Sequence, residues 1–341
     1  MPPQVSVIIS VYDSEKELPG LLDSLLASEF RDFEVCVYDD ASSDGSSAAA
    51  LSYAGRLDIK LLRGEANLGP ARGRNLAAEL ASGPLLLFLD ADIRVAPDTL
   101  SRLLALLESS GADVAQGVYS DRPLDPGPVS RYYAAFSHHS FLKAGRVEGY
   151  NVFNGWCSLC RREAIEAVGG HRPLRKGVEA ENETMGRDLA AAGFNIVMDP
   201  AIAVDHAWGG FRKVLFIFTS RVYWWVKVYF AFGRKCEAAM TTGAYAAGTA
   251  ALPAAALALA SGFPGSGPAA FLLAAFFVFV YWPFYFFLLR RNGAVFAGFG
   301  LAFSALLTFP AAASAAWSGA EEIFRIGFGG GATLGSGQGG A

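Results

Sequence analysis

Cysteine is scarce, with four in 341 residues, so no disulfide framework is expected. Cys157 and Cys160 form a lone C-x-x-C without a second ligand pair, which argues against zinc and redox chemistry. An excess of positive charge is also missing. Lys and Arg total 28 against 32 Asp and Glu, a formal net charge of −4, so no nucleic-acid partner is expected. No G-x-G-x-x-G lies between a strand and a helix, and no G-x-x-x-x-G-K-[ST] occurs, which excludes the common dinucleotide and P-loop sites. The N-terminus, Met-Pro-Pro-Gln ahead of a short strand, does not read as a signal peptide.

Charge itself disappears from the last third. None lies between Ala238 and Leu289, and none between Arg291 and Glu321. A bilayer-crossing helix needs about 20 apolar residues. The runs therefore predict three transmembrane helices within 238–318, with a turn at Ser261–Pro268 and a Gly-rich tail over 319–341. Arg234-Lys235 and Arg290-Arg291 flank these runs. By the positive-inside rule they put the N-terminal domain on the cytoplasmic face of a multi-pass cell-membrane protein. Between the two parts, 208–237 is basic and aromatic (Arg212, Lys213, Arg221, Trp224, Trp225, Lys227), suiting a helix lying among lipid headgroups.

Residues 1–207 alternate strand and helix patterns, which predicts an α/β domain with a mostly parallel sheet and helices on both faces. Val5–Val11, Phe33–Tyr38, Ile59–Leu62 and Leu85–Leu89 read as buried strands. Three of them end in polar groups: Ser10 and Tyr12, Asp39-Asp40, and Asp90 with Asp92. Ligands of open α/β sheets bind at such strand ends. Asp90 and Asp92 are two apart, so on an extended chain both reach one cation, and hard carboxylate oxygens suit Mg²⁺ or Mn²⁺. An Arg-bearing loop, Asn67–Asn75 with Arg72 and Arg74, supplies contacts for a base or phosphate. Residues 119–150, with three prolines and Tyr132-Tyr133 and His138-His139, read as an irregular loop over an acceptor.

Val-Ser-Val-Ile-Ile-Ser-Val-Tyr, Val-Tyr-Asp-Asp-Ala-Ser-Ser-Asp-Gly-Ser, Asn-Leu-Gly-Pro-Ala-Arg-Gly-Arg-Asn and Phe-Leu-Asp-Ala-Asp follow one another with the order and spacing of a known family. Over about residues 4–206 the chain resembles family 2 glycosyltransferases, inverting enzymes of the Rossmann-like GT-A fold. The resemblance implies that Ser10, Tyr12, Asp40 and Arg74 hold the base and ribose of a nucleotide-diphospho-sugar, with uridine the expected base. It makes Asp92 the direct metal ligand, Asp90 a ribose or metal-water contact, and His206 a further ligand or diphosphate contact. Asp13 stands where the family usually has Asn, and Ser10 where Pro is common.

Gly155–Gly170 resembles the family's acceptor-side strand and helix, in which Trp156 is a sugar-stacking platform or core filling. The family's helix then opens with Glu-Asp, the aspartate being the general base. Here the pair is Glu181-Asn182, and an amide does not accept a proton at neutral pH. Three readings follow: Glu181, Glu179 or Glu183 is the base; the acceptor is already ionised, as a polyprenyl phosphate is; or sugar nucleotide is bound without turnover. The expected activity is metal-dependent sugar transfer to a lipid-linked or glycan acceptor. A processive polysaccharide synthase and a weakly catalytic membrane subunit are the alternatives.

Overall fold

A computed structural model describes residues 2–172, 180–232 and 243–328 of the chain. By internal contacts it divides into two units, Met1–Leu124 with Ala144–Ala207, and Asp125–Lys143 with Trp208–Ala341.

The first unit is a mixed α/β sheet of nine strands among the described residues. These are β1 (Val5–Val11), β2 (Phe33–Asp39), β3 (Ile59–Arg63), β4 (Leu85–Leu89), β5 (Ile93–Arg94), β6 (Val114–Pro123), β7 (Val147–Glu148), β8 (Cys157–Arg161) and β9 (Ile196–His206). The spatial order is β3-β2-β1-β4-β8-β6-β9-β5, with β7 on β9. β1 is parallel to both β2 and β4, and its apolar run is buried because helices cover both faces. The expected strands are present, and β9 runs on to His206. β8 departs from the alternating pattern. It inserts between β4 and β6 antiparallel to both, with Leu87 opposite Leu159. Periodicity reports that a strand is buried, not which way it runs.

Glu34 on β2 ties the sheet's first three strands together although only 1% of it is exposed. It accepts from Ser6 Oγ at 2.6 Å and Ser82 N at 2.6 Å, and pairs with Lys60 Nζ at 2.7 Å. Burial alone would raise its pKa. The bonds from Lys60, Ser6 and Ser82 outweigh that and hold it at about 2.

In the second unit the expected irregular loop over 119–150 is instead largely a helix, Pro128–Ala144. Its prolines stay ahead of the helix or at its first position, where a missing N–H costs nothing. Tyr132 to Phe141 are buried almost all round, a pattern with no amphipathic stripe for sequence reading to find. Tyr132 Oη meets Ser304 Oγ at 2.6 Å, and its ring packs edge-on to Phe284 and Phe303. Residues 211–232 are helical with one π turn at Ile217–Arg221. Lys227 is turned inward and paired at 2.9 Å with both Glu321 and Glu322. One helix among the described residues, Ser266–Gly327, is long and apolar enough to cross a membrane. It is broken at Gly293, whose φ of 83° leaves the helical region. The helix Gly243–Ala260 is apolar but shorter.

Candidate active site

The order β3-β2-β1-β4 reverses direction at β1, and a crevice opens where neighbouring strands of an open sheet are connected in opposite directions. The candidate residues from β1, β2 and β4 lie at the carboxyl ends of these strands.

At the end of β1, Ser10 is half-buried and Tyr12 is 51% exposed. Helix 70–79 packs so tightly there that a Cβ on Gly73 would lie 2.0 Å from Ser10 Oγ, so any side chain at this position would force Ser10 to move. Asp13 follows with φ 48°, a left-handed conformation that Asn and Asp tolerate best, which accounts physically for an Asn/Asp exchange here. Its carboxylate accepts from Ser43 N at 2.7 Å.

At the end of β2 the two adjacent aspartates differ. Asp39 is fully buried and accepts from Ser42 N and Ser47 Oγ. Burial would raise its pKa, but the Ser42 and Ser47 bonds bring it below the ordinary carboxylate value. Asp40 accepts from the backbone N–H groups of Leu68 and Gly69, each at 2.8 Å, and so fixes the turn that opens helix 70–79, on which Arg72 and Arg74 lie rather than on the expected loop. Of those two arginines, Arg72 is exposed and Arg74 is 6% exposed.

At the end of β4 the two carboxylates have different partners. Asp90 Oδ1 pairs with Arg74 Nη2 at 2.7 Å. Asp92 Oδ2 lies 3.3 Å from His206 Nε2, which β9 brings alongside β5. Tyr119 packs on the His206 ring and stacks on Trp156 at 4.4 Å and 11°. Trp156 is 8% exposed, so one indole face is covered by Tyr119. Asp92 and His206 offer one carboxylate oxygen and one imidazole nitrogen, a donor set that fits a divalent ion whose other ligands come from a phosphate. Among the described residues no three metal-ligating side chains cluster.

The helix Glu181–Ala191 begins beside Arg74. Burial would lower the Arg74 pKa, but Asp90 and Glu181 more than offset it. A Cβ on Gly155 would meet Asn182 Oδ1 at 2.7 Å and the Arg74 guanidinium at 3.2 Å, so both groups crowd the same glycine. Asn182 Oδ1 is closed to solvent and has no hydrogen-bond partner among the described residues. Glu181 remains partly exposed, and Glu179 lies outside the described residues. Sequence reading passed over Asn75 and His171. Asn75 Oδ1 accepts from His171 N and Asn75 Nδ2 donates to His171 O, both at 2.8 Å.

The profile of Glycosyl transferase family 2 matches residues 6–169. That stretch holds all three strand ends and the Arg74 helix. By it, residues 6–169 belong to glycosyl transferase family 2.

Among curated relatives, the poly(ribitol-phosphate) β-N-acetylglucosaminyltransferase TarS of Staphylococcus aureus is 37% identical over 112 residues, 32% of this chain and 20% of TarS. The glycosyltransferase AglE of Haloferax volcanii is 26% identical over 170 residues, 49% of this chain and 55% of AglE. This chain thus spans less than two thirds of either relative. A solved structure, the mannosyltransferase PcManGT from Pyrobaculum calidifontis in complex with GDP-Man and Mn²⁺, superposes with a TM-score of 0.63 at 23% identity. It covers 93% of this chain and 88% of that one, a likeness of fold.

Proposed function

We propose that the chain is a membrane-associated glycosyltransferase that transfers a sugar, with inversion, from a nucleotide-diphospho-sugar to a lipid-linked or glycan acceptor. The observation carrying this reading is the convergence of Asp40, Arg74, Asp90 and Asp92, all inside the family 2 segment, at the sheet's switch point, with His206 from β9 beside Asp92. Ser10, Tyr12 and Asp40 take the base and ribose, uridine being the expected base, and Arg72 and Arg74 contact the base or phosphates. Asp92 and His206 hold the Mg²⁺ or Mn²⁺, which when bound neutralises the diphosphate leaving group.

Glu181 takes the proton from an acceptor hydroxyl; an acceptor that is already a phosphate anion needs no such help. Asn182 Oδ1 is packed away from solvent. The membrane enters through the apolar 266–327 segment, whose most apolar window has a mean hydropathy of 2.2 and is only 28% buried. In this reading the apolar runs 238–260, 269–289 and 294–317 are three spans, with the catalytic unit on the cytoplasmic side. A sugar-nucleotide-binding subunit without turnover is the second reading, favoured by the amide at 182.

The test uses the full chain in detergent with Mn²⁺, polyprenyl phosphate and a panel of nucleotide sugars. One donor is expected to turn over, and Asp92→Ala to lose that turnover. Nucleotide-sugar binding with no product from any donor would favour the second reading.

A further inference from the structure

Three segments carry the site, and one residue joins them. Asn75 follows Arg74 on helix 70–79. Its side-chain amide spends one donor and its carbonyl oxygen on the backbone of a single residue, His171, 96 positions later. The approach is close enough that a Cβ on Gly170, at φ 72°, would lie 2.6 Å from Asn75 Oδ1. From His171 the contacts fan out. Its ring is wholly buried, edge-on to Phe88 at 5.3 Å and Phe153 at 5.2 Å. Phe88 lies two residues before Asp90, and the Phe153 N–H donates to the Asn182 carbonyl at 3.1 Å. The next residue, Arg172, makes a forked pair with Asp188 on helix 181–191 at 2.9 and 3.1 Å.

We infer that Asn75 is a positioning residue: its two-point clamp on His171 fixes helix 181–191, and with it Glu181 and Asn182, against Arg74 and Asp90. Asn is the side chain that fits. Only an amide offers one donor and one acceptor side by side to a peptide's C=O and N–H. Asp at this position accepts from His171 N–H but repels its carbonyl. Ala removes both bonds and leaves buried peptide groups unpaired, which costs more than a lost surface contact.

The kinetic arm of the test rests on the transferase reading above; the exchange arm does not. Amide hydrogen exchange would be followed on the full chain in detergent for wild type, Asn75→Ala, Asn75→Asp and Arg172→Ala. Asn75→Ala is expected to speed exchange at His171 and through 181–191 by about tenfold or more, with β1 and β2 unchanged. Asn75→Asp, keeping one bond, falls between. Arg172→Ala, a surface change that leaves the clamp intact, speeds 181–191 less and His171 not at all. With the productive donor, Asn75→Ala lowers kcat about tenfold or more while the donor KM stays within about threefold, because the donor is held by other groups. Unchanged exchange in 181–191, or an equal rise in β1 and β2, overturns the inference. If wild type makes no product, exchange still decides the clamp, and the silence counts against the transferase reading alone.

Discussion

Asn182 and Glu181 are neighbours with different prospects. One offers a solvent-closed amide oxygen crowded against Gly155 and a guanidinium, the other a partly exposed carboxylate. Glu181→Gln should therefore cut kcat by about 10²–10⁴ with a hydroxyl acceptor, read from initial rates of transfer. Asn182→Asp would set a carboxylate against Arg74, already paired with Asp90, so its rate should stay within a few-fold of wild type. His171 bears on stability. Its two ring nitrogens have no hydrogen-bond partner among the described residues, and burial, reinforced by Arg74, pushes its pKa well below the ordinary value. The unfolded chain takes up a proton there near pH 6.5 and the folded chain does not, so stability falls as pH drops below about 6.5. His171→Phe should raise stability by about 1 kcal/mol at neutral pH, and by more on the acid side, measured by thermal melts across pH.

At the scale of elements, β1, β2 and β3 are held in register by a buried carboxylate as well as by their ladders. Glu34, with its pKa at about 2, contributes stability that is complete above its ordinary value near 4.5 and lost as pH falls toward about 2. Glu34→Ala leaves Ser6, Ser82 and Lys60 without their shared acceptor and should cost about 3 kcal/mol in denaturant unfolding. The strands themselves were readable as segments of five to seven residues rich in apolar side chains. The helix 128–144 was not, because a helix buried on nearly every side carries no alternation of apolar and polar residues to betray its period.

For the whole molecule, the second unit exposes Phe271, Leu272, Phe279 and Trp282 at 58–76% of their surface. Water penalises so wide an apolar face and a bilayer does not. The chain should accordingly stay with the membrane fraction after an alkaline carbonate wash, and recovery in the supernatant would reject the spanning arrangement. In the first unit, the family 2 match over 6–169 and the mixed sheet describe one framework, in which the strand ends bring residues from distant parts of the chain to one crevice.

The sequence by itself determined strands β1 to β4, the carboxylates at the ends of β2 and β4, and the long apolar segment. These are local signals: periodicity, a run that stops at a charge, a stretch without any. Tertiary structure alone decided that Asp90 answers to Arg74 while Asp92 answers to His206, that β8 runs against its neighbours, and that Lys227 points inward. It also decided that Asn75 reaches across to His171. Each of these depends on which segments meet in space, and pairing across tens of residues leaves no trace in the spacing of either partner.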